Sequence, residues 1–589
     1  MKLRSFFSVL AVGAIGLLLT AVGGFFWLTS QSPLNLLHGG VKTNPTAAIF
    51  VPKQAPIMVS MQVNPERLEA FRQLAARPVY RRQARAELKQ FEQSLLAIID
   101  ADLDYRRDIQ PWLGDEITLA VTSLDFDRNR ENATQPGYLL ALTAKDPKRA
   151  REFLQLFYSK QALSETSDLV LEKYKGVNLF YKRPLVQMEP SGDDFNQSQM
   201  FTTLTSAIVG DRFVLFANHP KVLRSAINTV QAANLSLENE PVYQQTLQSL
   251  SEPRIGLSFV NLPALTAWIA NQPVPVQDTL QGSETLAFAL SLDLQGLVAQ
   301  TALVGAEPGT QSQQPTLCEP VAALQYIPAK SAFAIAGTDL NQLWNRLQTG
   351  VASDETLKPL LEKSLASLRS RWGIQLPEDV FSWVQAEYAL SMLPRPDREN
   401  PDWIFVAGKL DNSTAQVSIE HLDTVAKQQG MSVGFLSLGE HKLTAWTKLT
   451  TSAQVAASRQ AEAELTQPLL KLEAQVQGVH TTVGDYEIFA SSIAAMDQAL
   501  KGRLNSLLKS EQFQSAIASL PEQNDGYFYL DWKRSEALLK RQLPIVRVAQ
   551  LVGKPLFDHL QSLSLSSYGI DKGIRRSKLF LRLDTTEQV

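Results

Sequence analysis

Apolar and polar positions change their rhythm several times along the chain, and each change marks a part. The run from Ser5 to Leu28 carries no charge. At ~1.5 Å per residue it predicts roughly 36 Å of helix, enough to cross a hydrocarbon core of ~30 Å. Phe25, Phe26 and Trp27 close the run with an aromatic belt, Lys2 and Arg4 precede it, and the next charge is Lys42. That asymmetry places the N-terminus in the cytoplasm and the body across the membrane. A cleaved signal peptide would have a shorter apolar region ending in small residues, whereas this one ends Phe-Phe-Trp-Leu. The reading favoured is an uncleaved transmembrane anchor over 1–29, followed by a polar tether over 30–47.

Beyond the tether, short alternating or fully apolar runs suggest strands and 3.6-residue patterns suggest helices. Ile57 to Val63, Glu116 to Ser123, Tyr138 to Thr143 and Phe213 to Ala217 read as strands. Helices are expected from Pro65, through Ala84–Ile99, from Asp146-Pro147 and over Lys221–Val230. Lys175-Gly176 and Gln295-Gly296 read as hairpin turns, which imply antiparallel pairing. The expected class is therefore α+β, with helices covering largely antiparallel sheets. Arg183 to Gln199 reads as a polar loop, and the Ala/Gln/Glu/Leu-rich stretch near Ala453–Gln475 as a helix.

The same order of patterns recurs. Phe50-Val51-Pro52 returns as Tyr326-Ile327-Pro328, and Asp108, Trp112 and Glu116 return at identical spacing as Asp379, Trp383 and Glu387. Val209-Gly210-Asp211 returns as Val483-Gly484-Asp485. Pro136 returns as Pro401 and Gly296 as Gly573, and the offsets stay between 401 − 136 = 265 and 573 − 296 = 277. This predicts two tandem homologous modules, 48–304 and 321–585, joined by a Pro/Gly/Gln-rich linker over 305–320.

Composition narrows the chemistry. With 56 Lys+Arg against 59 Asp+Glu, the net charge of −3 argues against a nucleic-acid partner. One cysteine, Cys318, excludes an internal disulfide and any multi-cysteine zinc site. No zincin, phosphate-loop, dinucleotide or nucleophile-elbow motif is present, and the six histidines are scattered. No catalytic residue, metal or cofactor is therefore expected. The repeated carboxylates Asp108/Asp379, Glu116/Glu387 and Asp211/Asp485 are read as capping and turn residues in preference to acid/base pairs, and Trp112 and Trp383 as core anchors. Arg77, Arg81, Arg85 and Lys89 form a basic stripe at helical spacing, a solvated face in preference to a lipid-headgroup contact.

The anchor, Phe50-Val51-Pro52, the Asp108–Ala120 stretch, Val209-Gly210-Asp211 and Asn218-His219-Pro220 together resemble an uncharacterised, largely cyanobacterial family built on a domain of unknown function. That resemblance implies a periplasmic or thylakoid-lumenal body and brings no known activity. The function expected is a non-catalytic, membrane-anchored, extracytoplasmic binding or scaffold protein with a protein partner. The alternatives are a carrier or chaperone for lipid or another apolar ligand and, more weakly, an unrecognised hydrolase.

Overall fold

A computed structural model describes residues 40, 43–63, 103–127, 135–162, 167–184, 204–250, 253–269, 285–293, 295–305, 315, 317–341, 343–345, 375–395, 401–410, 412–454, 469–502, 505–542 and 557–583. The chain divides into two compact units. Unit one runs to Gln313 and also takes in Leu543–Gln561 and Gly569–Val589; unit two comprises Gln314–Gln542 and Ser562–Tyr568.

Twenty strands are described: β1 (Ile57–Met61), β2 (Leu113–Ser123), β3 (Gly137–Ala144), β4 (Ser167–Tyr174), β5 (Val177–Pro184), β6 (Thr205–Val209), β7 (Phe213–Ala217), β8 (Gly256–Asn261), β9 (Thr285–Asp293), β10 (Gly296–Val304), β11 (Phe333–Thr338), β12 (Glu387–Leu393), β13 (Asp402–Gly408), β14 (Ser432–Leu438), β15 (His441–Gln454), β16 (Leu469–Val483), β17 (Tyr486–Ala490), β18 (Gly526–Asp531), β19 (Leu560–Asp571) and β20 (Ile574–Leu583). The α-helices described are α1 (Pro147–Ala162), α2 (Pro220–Gln231), α3 (Pro241–Ser249), α4 (Leu262–Ile269), α5 (Asn412–Gln428), α6 (Ile493–Lys501), α7 (Glu511–Ile517) and α8 (Trp532–Gln542).

In unit one the strand order is β4-β5-β6-β7-β3-β2-β1-β8-β9-β10-β20, antiparallel throughout. In unit two it is β14-β15-β16-β17-β13-β12-β11-β18-β19, again antiparallel throughout. The order of the first nine strands is the same in both. Each unit ends its sheet on the outer strand of a hairpin, β4 in one and β14 in the other.

Local chemistry explains the elements. Pro220 opens α2 at a position whose N–H would be unpaired, and the His219 Nδ1 accepts from the Lys221 N–H. Val222, Leu223, Ala226 and Ile227 then fall on one buried face. At the matching place in unit two, Ser492 caps α6 by accepting from the Ala495 N–H at 3.1 Å. Strands dominate because their apolar residues pack on both sides of the ladders, as in β7, where all five residues are buried.

Three expectations are corrected. The architecture is mostly antiparallel sheet with few helices, not α+β. Repeated hairpin pairing extends each sheet across many strands, so strands outnumber helices, and helices such as α1 and α2 pack against the ladders. The expected anchor over 1–29 lies outside the described residues, and among those no helix is long and apolar enough to cross a membrane. Nothing among the described residues supports a single-pass placement with a periplasmic or lumenal body. At its two ends the helix read near Ala453–Gln475 is replaced by strand, while 455–468 lie outside the described residues. Ala453 and Gln454 end β15, and β16 begins at Leu469, with Gln454 opposite Leu469 and Thr447 opposite Val476. Threonines on both strands and valines on β16 favour the pleated ladder over the helix that the alanines suggest.

Candidate binding edge and the charge cluster beneath it

The repeated residues occupy matching structural roles. A short π-helix precedes each tryptophan, Tyr105–Ile109 and Leu376–Phe381. The Trp112 Nε1–H donates to the Asp108 carbonyl at 2.7 Å, and the Trp383 Nε1–H donates to the Asp379 carbonyl at 3.1 Å. Both indoles are buried. The Asp108 carboxylate accepts from the Asp104 N–H and that of Asp379 from the Gln375 N–H, closing the turn in each unit. The Arg107 guanidinium beside Asp108 holds that carboxyl below its usual range. His421 lies 3.3 Å from Asp379.

Glu116 turns toward the chain's early residues. It accepts from the Thr46 and Ala47 N–H groups at 2.8 Å each, capping the 3-10 turn Thr46–Phe50. Glu387 accepts from the Ala323 N–H at 3.1 Å and from the Tyr486 hydroxyl at 2.9 Å. Asp108 and Glu116 thus serve separate sets of donors. Asp211 follows Gly210 in the β6–β7 turn and pairs with Arg151; Asp485 follows Gly484 in the β16–β17 turn. Gly210 and Gly484 share a φ of +59°, a left-handed conformation that glycine adopts without strain. The basic stripe Arg77, Arg81, Arg85 and Lys89 lies outside the described residues.

Among the described residues, a second arrangement exists in unit two and not in unit one. His480 on β16 is only 5% exposed. Its Nδ1 lies 2.8 Å from a Glu487 carboxylate oxygen and its Nε2 lies 3.2 Å from Asp423 on α5. The Trp446 Nε1–H donates to the same Asp423 oxygen at 2.7 Å, and the Thr482 hydroxyl donates to Glu487 at 2.6 Å. Phe489 stacks on the imidazole with centroids 5.4 Å apart. Burial opposes the charge on His480, but hydrogen bonds to Asp423 and Glu487 outweigh it and raise the pKa to about 9. Hydrogen bonds from His480 and Trp446 likewise overcome burial at Asp423 and hold its carboxyl low. A pKa raised to about 9 favours the imidazolium form of His480 at neutral pH.

That arrangement fastens things together; it is poorly suited to reaction. Both ring nitrogens are engaged by carboxylates on opposite sides, which leaves neither to take a proton from a substrate or to bind a metal. Among the described residues, no group of three or more His, Cys, Asp or Glu side chains has the geometry to hold a metal ion. The cluster instead ties α5 to β15, β16 and β17. Trp446 in turn pairs directly with Val433 of β14, so the charge cluster lies under the root of the edge hairpin.

The hairpin itself is unusual. β14 reads Ser-Val-Gly-Phe-Leu-Ser-Leu, seven residues with neither a charge nor a proline. Among the described strands it pairs with β15 alone. Phe435 is 70% exposed, Leu436 is exposed beside it, and Leu449 of β15 is exposed too. The Lys442 ammonium sits 4.0 Å from the Phe435 ring centroid, covering one face of it. An uncharged edge strand of this length is a template for another strand. Sequence reasoning missed both features. His480 and Glu487 do carry a local signal, since the Val483-Gly484-Asp485 turn makes them diagonal neighbours across a hairpin, whereas Asp423 lies 57 positions away.

Neither the curated proteins nor the solved structures include a match to this chain. A family model does match, over residues 10–583, and it covers both units. The chain belongs to the family described as a protein of unknown function, DUF3352.

Proposed function

We propose that the chain is a non-catalytic binding or scaffold protein whose docking surface is the outer edge of β14. The observation that carries this reading is an edge strand of seven residues, without charge or proline, bearing a phenylalanine that is 70% exposed. Stable folds blunt such edges with lysine, proline or a covering element, because unpaired N–H and C=O groups recruit other strands. An edge on which no described strand lies, yet rooted on a buried ionic cluster, fits recognition by strand addition, where main-chain bonds give affinity and alternate side chains give selectivity.

Two tandem copies of one antiparallel module underlie this reading. The matched π-helix, tryptophan and carboxylate geometry supports a common origin, as does the shared order of nine strands. On this view the second copy diverged at its hairpin and took on docking. Replacing Phe435 with a photo-crosslinking amino acid in cells tests the proposal, with Leu171 of β4 as the comparison position. Discrete crosslinked products at Phe435 and none at Leu171 are expected. Equal labelling at both, or none at either, would remove the docking surface.

A further inference from the structure

We infer that the occupant of the β14 edge is β14 of a second copy of this chain, paired antiparallel about a two-fold axis at Phe435; this rests on the docking reading above. Hydrogen-bond parity comes first. Leu438 and His441 flank a two-residue turn, so they form a hydrogen-bonded pair. Alternation then directs Leu438, Leu436, Gly434 and Ser432 toward β15. The N–H and C=O groups of Val433, Phe435 and Ser437 point away from it. An antiparallel copy centred on Phe435 sets Phe435 against itself and Val433 against Ser437. Those are the three outward-facing residues, so every outward group of the strand meets a partner in one register.

Charge supplies the second argument. Lys427 closes α5 just before the strand begins, Lys448 lies near the same end on β15, and all three residues of the pair's interior edge are uncharged. Glu440 lies in the turn at the other end. Antiparallel pairing brings the Glu440 end of one copy to the lysine end of the other, twice over, whereas parallel pairing would superpose like charges. The remaining cation nearby, Lys442, is committed to the face of Phe435. Both exposed apolar side chains at the centre, Phe435 and Leu436, would lose water on association.

The test is the association state of the purified full chain, followed by sedimentation from ~0.5 to ~50 μM, a range that brackets micromolar affinity. A monomer–dimer equilibrium is expected. Ser437→Pro removes one outward N–H and leaves the bonds to β15 intact, and Phe435→Lys places two charges on the axis; each is expected to weaken the dimer at least tenfold. Leu171→Lys, at the matching place in unit one, is expected to leave it unchanged. Glu440→Lys is expected to weaken it, and Lys427→Glu in the same chain to restore it, a rescue that folding defects would not mimic. In a Cys318→Ser background, Phe435→Cys is expected to give dimer with a short bismaleimide, and Val417→Cys on exposed α5 surface is not. A wild-type chain that stays monomeric throughout the range overturns the inference, as does a dimer indifferent to both Ser437→Pro and Phe435→Lys. A monomer that still photo-crosslinks to a different protein through position 435 removes the second copy and leaves the docking reading standing. A monomer with no crosslink removes both.

Discussion

The edge hairpins of the two units occupy the same place in the strand order and differ at matching positions. Counting back from each two-residue turn, Asp168, Glu172 and Lys173 of β4 stand where β14 has Ser432, Leu436 and Ser437, and Leu171 stands where it has Phe435. Unit one therefore guards its edge with charges. It also fastens the hairpin from outside, through Arg224 of α2, whose guanidinium makes bonds of 2.9 and 2.6 Å to Glu172. Beneath that hairpin lie Tyr158, stacked on Phe180 at 5.6 Å, with Ser206 and Val214. These stand where unit two has Asp423, Thr444, His480 and Glu487. One unit places its charges on the surface and keeps an uncharged root; the other buries them at the root and leaves the edge strand uncharged.

The difference can be broken from either side. The largest effect is expected from Glu487→Ala, which leaves the buried imidazolium with one carboxylate and should destabilise unit two by about 3–5 kcal/mol. Val214→Ala at the matching site in unit one should cost less, about 1–3 kcal/mol, because only packing is lost. Urea unfolding of each variant, read through the tryptophan signal for the cluster, checks the ranking. Comparable losses would mean that the ionic cluster behaves as ordinary core.

A smaller effect is expected from pH. The folded pKa of His480, about 9, lies above its unfolded value near ~6.5. Its stabilisation is therefore fully present below pH ~6.5 and is lost as pH rises through about 9. Asp423 has the opposite sense: its folded pKa is held low, so its contribution is present above ~4 and fades as pH falls through the folded value. Thermal unfolding of unit two should weaken on the alkaline side, and His480→Gln should flatten that slope. A slope unchanged by the substitution would show that other groups govern it.

The smallest effects concern the turns. Gly439 holds a φ of +60°, so Gly439→Ala should cost about 1 kcal/mol. In unit one the left-handed pair is Lys175 at +46° and Gly176 at +84°. Lys175→Gly should relieve strain and shift the melting midpoint by no more than a few degrees. Opposite signs from the two substitutions would sharpen the contrast between a turn already relaxed and one that is not.

The sequence made some of this legible and hid the rest for physical reasons. The Lys175-Gly176 turn, the α1 and α2 starts and the strand at Phe213–Ala217 were readable because each is set by residues within a few positions. The stretch near Ala453–Gln475 misled because its composition favours helix, while its partners in the ladder lie beyond any local window. The candidate site was nearly invisible. Nothing marks Asp423 as the partner of His480 until α5 is laid beside β16, and an exposed Phe435 looks like a buried one until the edge of the sheet is known. The absence of charges across Ser432–Leu438 was available from the start; only topology gives it meaning.

The last strand carries a consequence in time. β10 ends at Val304, yet its partner β20 does not begin until Ile574, 574 − 304 = 270 residues later. At ~5–20 residues per second of synthesis, unit one waits roughly 14–54 s with that ladder unfilled. Its N-terminal strands can assemble early, but this ladder cannot be filled until the ribosome has passed Ile574–Leu583. Birth order and assembly order are therefore reversed at this edge, and a ribosome that stalls before Ile574 leaves unit one without its last strand.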